Sequence, residues 1–129
     1  MQNDVMLTKL DESIEESRFI NKGNISIETF DHTGKIYPLH INGCYVVDLE
    51  LSQFDFEEPD IIHMTQGKVE QIDDTFAHYL YGYVKNNIFH VGDFQFDFSE
   101  YNDFNQYEGK YLKFKADRVN IEFLKELPN

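Results

Sequence analysis

Residues 76–98 read Phe-Ala-His-Tyr-Leu-Tyr-Gly-Tyr-Val-Lys-Asn-Asn-Ile-Phe-His-Val-Gly-Asp-Phe-Gln-Phe-Asp-Phe. The side chains alternate, and the period is two. Tyr79, Tyr81 and Tyr83 share one face of a strand over Phe76 to Val84. Phe94, Phe96 and Phe98 share a face of the next strand, with Asp93, Gln95 and Asp97 opposite. Successive residues of a strand point to opposite sides, so this pattern is that of half-buried β-structure. Lys85-Asn86-Asn87 supplies the hairpin turn between them, since Asn tolerates positive φ. Gly92 interrupts the second strand as an expected bulge.

The same period extends outward. Tyr45, Val47, Leu49 and Leu51 alternate with Asp48 and Glu50 in a strand over Cys44 to Leu51. Ile25 and Ile27 begin another, after the turn Lys22-Gly23-Asn24. Lys35 to Asn42 is an expected strand weakened by Pro38, which removes a ladder donor. Ile61 to Met64 and Val69 to Ile72 are short apolar segments, and Tyr111 to Ala116 and Val119 to Phe123 are the last strands. Leu127-Pro128-Asn129 reads as a tail. Only the start departs from this period. Met6, Leu10 and Ile14 recur every four residues, which predicts an amphipathic helix over 4–18 with Asp4 as its cap.

The expectation is a mainly β single domain over 1–129: a helix over 4–18, then an antiparallel barrel or sandwich of seven or eight strands over 25–124. The glycine-led strand Gly109-Lys110-Tyr111-Leu112-Lys113-Phe114 resembles those of small Greek-key barrels such as OB-folds, at the level of fold alone. A repeat is also visible. Gln53-Phe54-Asp55-Phe56 recurs as Gln95-Phe96-Asp97-Phe98, and Gly67-Lys68 recurs at the same offset as Gly109-Lys110. Alternation with polar residues predicts that the phenylalanines of both copies lie in the core.

The chain has 129 residues and a net charge of −13. From Ile36 to Gly109 the only basic residues are Lys68 and Lys85, against fourteen acids. From Lys110 to Lys125 the balance reverses, with Lys110, Lys113, Lys115, Arg118 and Lys125 against Asp117 and Glu122. Such acidity repels phosphate, so nucleic acid is not an expected partner, whereas a basic protein is. No apolar stretch is long enough to span a bilayer, so no membrane partner is expected. The start, Met1 to Val5, has no basic segment leading an apolar one, so a signal peptide is not expected. One cysteine, Cys44, excludes an internal disulfide and fits a reducing, cytoplasmic setting.

Catalytic signatures are missing. There is no Gly-x-Ser-x-Gly elbow, no phosphate-binding glycine pattern and no His-Glu-x-x-His. Cys44 opens an apolar strand, which fits an inert buried thiol better than a nucleophile. His78 and His90 flank the predicted hairpin and, with Asp93, are the one arrangement to weigh for a metal. Asp55 to Asp60 has oxygen ligands but not the spacing of a calcium loop. No metal or cofactor is assigned.

Two segments mix acids with aromatics. Asp55, Glu57, Glu58 and Asp60 form the first group, and Glu100, Tyr101, Asp103, Phe104, Tyr107 and Glu108 the second. Aromatics give a protein interface its contact area, and acids steer it toward Lys and Arg. These ten residues are the expected partner-binding set, with the tyrosines as alternative plugs for one end of a barrel. The expected function is a non-catalytic module of the inhibitor or immunity type that masks a basic site, such as the cleft of a nuclease toxin. The alternative is a barrel that binds a small ligand in an aromatic pocket, as a binding protein or as an enzyme.

Overall fold

The computed structural model describes residues 1–11, 13–33, 38–63, 66–101 and 106–128. Among them are eleven strands and no helix. They are β1 (Gln2–Leu10), β2 (Ser17–Lys22), β3 (Ile25–Phe30), β4 (Cys44–Ser52), β5 (Asp60–Ile62), β6 (Lys68–Gln71), β7 (His78–Lys85), β8 (Ile88–Val91), β9 (Phe94–Asp97), β10 (Tyr111–Ala116) and β11 (Arg118–Leu127). None of these elements is a helix long and apolar enough to cross a membrane.

Five strands close a barrel in the order β1-β2-β3-β11-β4, with β4 returning to β1. All its pairings are antiparallel except β3 with β11, which meet in parallel at Phe30 and Asn120. The chain between β4 and β11 builds a second sheet in the order β5-β10-β7-β8-β9, and β6 also pairs with β7. Tyr45, Val47, Leu49, Val119, Ile121 and Phe123 are buried in the barrel, and Phe89, Phe94, Phe96, Phe98 and Phe114 in the second sheet, within one continuous core.

The predicted helix over 4–18 is instead most of β1, a turn and the first residues of β2. Asn3, Val5 and Leu7 are buried, while Gln2, Asp4 and Met6 are exposed, so the period is two. Met6, Leu10 and Ile14, the supposed apolar face, are the exposed residues. Val5 and Leu7 override the four-residue spacing because β1 pairs on both sides, with β2 and β4. The strand then ends in a turn where Asp11 Oδ1 accepts from the Ser13 amide at 2.8 Å.

Other boundaries shift for local reasons. Ile88 to Phe98 is two strands, not one with a bulge: Gly92, at φ 57, turns the chain between β8 and β9. Asn86 and Asn87 both have positive φ, as the expected two-residue hairpin requires. The strand expected over Lys35–Asn42 is not present in its described part, 38–42. There Gly43 N–H donates to the His40 carbonyl at 2.9 Å, and Asn42 is left-handed. Residues 34–37 lie outside the described residues. Leu127 belongs to β11 rather than to a tail, since it pairs with Cys44. Gly82 lies in the middle of β7 because a Cβ there would come within 2.2 Å of the His90 carbonyl oxygen.

Candidate acidic and aromatic interface

β4 delivers the chain into the segment 53–59 at the edge of the barrel. Gln53 anchors it, donating from Nε2 to the carbonyls of Lys115 at 2.8 Å and Glu57 at 3.1 Å. The Phe54 amide donates to Asp117 Oδ2 at 2.7 Å. Lys115 Nζ lies 3.9 Å from the Glu57 carboxylate. The Arg118 guanidinium sits between two rings, 4.1 Å from the centroid of Phe30 and 5.1 Å from that of Phe54. Pro59 is buried and leads into β5.

This anchoring turns two phenylalanines outward. Phe54 is 66% exposed and Phe56 72%, and Ile61 in β5 is 55% exposed. Both phenylalanines were expected in the core, so that expectation is corrected. The second Gln-Phe-Asp-Phe copy, residues 95–98, runs along β9 and one residue past its end, and its Phe96 and Phe98 are fully buried. What separates the copies is pairing. β9 is held by β8, with Phe96 opposite Phe89, whereas residues 53–59 join no strand. Glu57-Glu58-Pro59, unfavourable to a strand, was the signal in the sequence. Asp55, Glu57, Glu58 and Asp60, which alternate with or follow the two rings along the chain, are all exposed. Four of the expected site residues are thus gathered with Phe54 and Phe56.

The second expected segment divides. Tyr107 is buried and meets the Phe98 ring edge-on at 6.0 Å. Tyr101 is half-buried, 5.2 Å from Phe98 and 5.1 Å from Phe114. Burial first, and then its hydrogen bond with Glu100, pushes the Tyr101 phenol up to about 12. Both tyrosines therefore pack on the aromatic core of the second sheet. Glu108 accepts from the amides of Asn86 at 2.9 Å and Asn87 at 3.4 Å, so it holds the β7–β8 turn. Glu100 is exposed and, with Asp97 and Ser99, lines a shallow cleft against Met1 and Glu50. Asp103 and Phe104 lie outside the described residues. Burial raises the Tyr107 phenol too, and the charge of Glu58 raises it further.

The outer face of the second sheet is a lattice of tyrosines and lysines. Lys113 Nζ lies 4.2 Å from the Tyr79 ring centroid, and Lys68 Nζ lies 4.6 Å from that of Tyr81. Burial, and then a short hydrogen bond to Glu70, pushes the Tyr81 phenol up to about 12. Lys113 and Lys115 are thus partnered within the molecule, Lys115 by an acid of the middle segment.

The histidines do not converge. His78 faces Gln71 and Ala116 across its strand, and His90 faces Tyr83. His78 is buried, and its Nδ1–H donates to the Phe76 carbonyl at 2.9 Å.

The family model described as uncharacterised conserved protein UCP019853 matches residues 1–124, and the chain belongs to that family. No curated protein and no solved structure matches it.

Proposed function

We propose that this member of the family is a non-catalytic protein-binding module that sets its acidic, aromatic segment 53–60 against a basic site on a partner protein. One observation carries the reading. Phe56, Phe54 and Ile61 have the largest fractional exposures among the exposed large apolar side chains of the described residues, and they fall within eight positions. Four exposed carboxylates, Asp55, Glu57, Glu58 and Asp60, are interleaved with them along the chain. Exposed aromatics grouped in this way mark interaction sites, and acids at their rim select a cationic partner. The bonds from Gln53 and Asp117 hold the segment before any partner arrives, which lowers the ordering cost of binding.

The barrel supports the location. With β11 between β3 and β4, its order is OB-like, and the second sheet is an insertion between the fourth and fifth barrel strands. Loops at that position bind ligands in OB-like barrels, and residues 53–59 begin it here. The concrete partner is a basic protein of the nuclease-toxin type in a cytoplasmic setting, masked as by an immunity protein. The filled barrel, with Tyr45, Val47, Leu49 and Ile121 all buried, weighs against a small ligand inside it.

The test is partner recovery from the native host with Phe54→Ala/Phe56→Ala beside Ile41→Ala/Leu124→Ala, two exposed apolar positions elsewhere. A basic protein retained by wild type and the control pair, and lost from the Phe pair, supports the reading. Equal recovery by all three contradicts it.

A further inference from the structure

The second sheet has two terminal strands, β5 and β9. They are treated differently. β9 is sealed against the barrel: the Asn3 side chain donates to the Gln95 carbonyl at 2.7 Å and accepts from the Gln95 amide at 2.9 Å. β5 pairs with β10 on one side, and among the described residues no strand pairs with its other side. An open edge exposes backbone donors and acceptors that another chain can complete.

The side chains of β5 specify what that chain would be. Ile61 pairs with Leu112, and directly opposed residues share a face. Leu112 is fully buried, so Ile61 continues the core face of the sheet past the edge, where more than half of it is uncovered. Asp60 pairs with Lys113 and Ile62 with Tyr111 on the other face. A strand laid beside β5 therefore needs an apolar residue next to Ile61 and a cation next to Asp60. Upstream of Asp60 the chain carries the exposed Glu58 and, before it, the exposed rings of Phe54 and Phe56.

We propose that β5 is an acceptor edge for β-strand addition by an extended segment of the partner that alternates basic and apolar residues. This rests on the docking role of residues 53–60 and adds its mode. β5 has only three residues, so the backbone bonds are few and the two phenylalanines supply much of the contact. A second copy of this chain is a poor occupant, because it has no Lys or Arg within 53–63 to set beside Asp60 and carries the same net charge of −13.

The test uses blocked octapeptides that alternate Lys or Arg with Val, Ile, Phe or Tyr, titrated against the full chain. The tightest peptide is then remade with N-methyl groups on its odd or on its even backbone nitrogens. Strand addition predicts that one phase loses about tenfold or more in affinity while the other keeps it, because alternate amides face the host. It also predicts slowed amide exchange within 60–62. If both phases bind alike and Phe54→Ala/Phe56→Ala still weakens binding, edge addition is overturned and the docking role stands. If no peptide binds, both fall. If the chain alone dimerises and Ile61→Asp abolishes the dimer, the edge belongs to a second copy and the assignment is overturned.

Discussion

Phe54 and Phe96 hold the same place in two copies of one tetrapeptide, and a side-chain truncation distinguishes them. Phe96→Ala or Phe98→Ala removes a fully buried ring and is expected to cost about 3–5 kcal/mol of stability. Phe54→Ala and Phe56→Ala are expected to stay within about 0.5 kcal/mol of wild type, since neither ring leaves a core. Urea midpoints at constant slope check both. Tyrosine ionisation offers a second residue-scale prediction. Tyr81 and Tyr101 are held protonated by burial and by their Glu partners, with pKa values near 12. An unfolded phenol titrates near 10. The stabilisation is therefore complete below pH 10 and is lost as pH rises toward 12. Absorbance at ~295 nm is expected to show a late-titrating group that Tyr81→Phe removes.

At the scale of elements, the sequence was legible where one face is buried and the other wet. β3, β4, β7 and β10 were read nearly to their ends, because Ile25/Ile27, Tyr45/Val47/Leu49 and Leu112/Phe114 alternate cleanly with polar residues. β1 was misread because three exposed apolar residues, Met6, Leu10 and Ile14, fall at helical spacing and mask Val5 and Leu7. β2 was missed because its burial is irregular, with Ser17 and Ile20 three residues apart and a polar residue in the core. The acids of the candidate site were legible, but its phenylalanines were not. Pattern predicts burial only when a partner strand exists, and partners are decided by distant pairing. One such long-range device is Asn3, which joins β1 to β9. Asn3→Ala leaves two part-buried backbone groups of Gln95 without their partner, at a cost of about 1 kcal/mol. Hydrogen exchange at the Gln95 amide is expected to speed up in that variant.

At the scale of the whole molecule, the barrel and the second sheet meet around buried polar groups. Glu28 of β3 accepts from Ser17 Oγ and from Gln71 Nε2 of β6, each at 2.6 Å. His78 of β7 is buried nearby, and that burial lowers its pKa against the opposing pull of the Phe76 carbonyl and of Glu28. Below about pH 6.5 the unfolded imidazole takes a proton that the folded one resists, so stability is lost as pH falls through that window. His78→Gln is expected to flatten the fall in thermal midpoint between pH 7 and 5.

The charge reading also resolves at this scale. The basic end strands are used internally, with Lys113 on Tyr79, Lys115 on Glu57 and Arg118 between Phe30 and Phe54. The acids around Phe54 and Phe56 are left facing outward. The most direct measurement is site-specific photocrosslinking in the native host, with p-benzoylphenylalanine in place of Phe56 or, as control, of Leu124. The account predicts a discrete adduct with a basic protein from position 56, abolished by Phe54→Ala, and none from position 124. An adduct from 124 without one from 56 would contradict it.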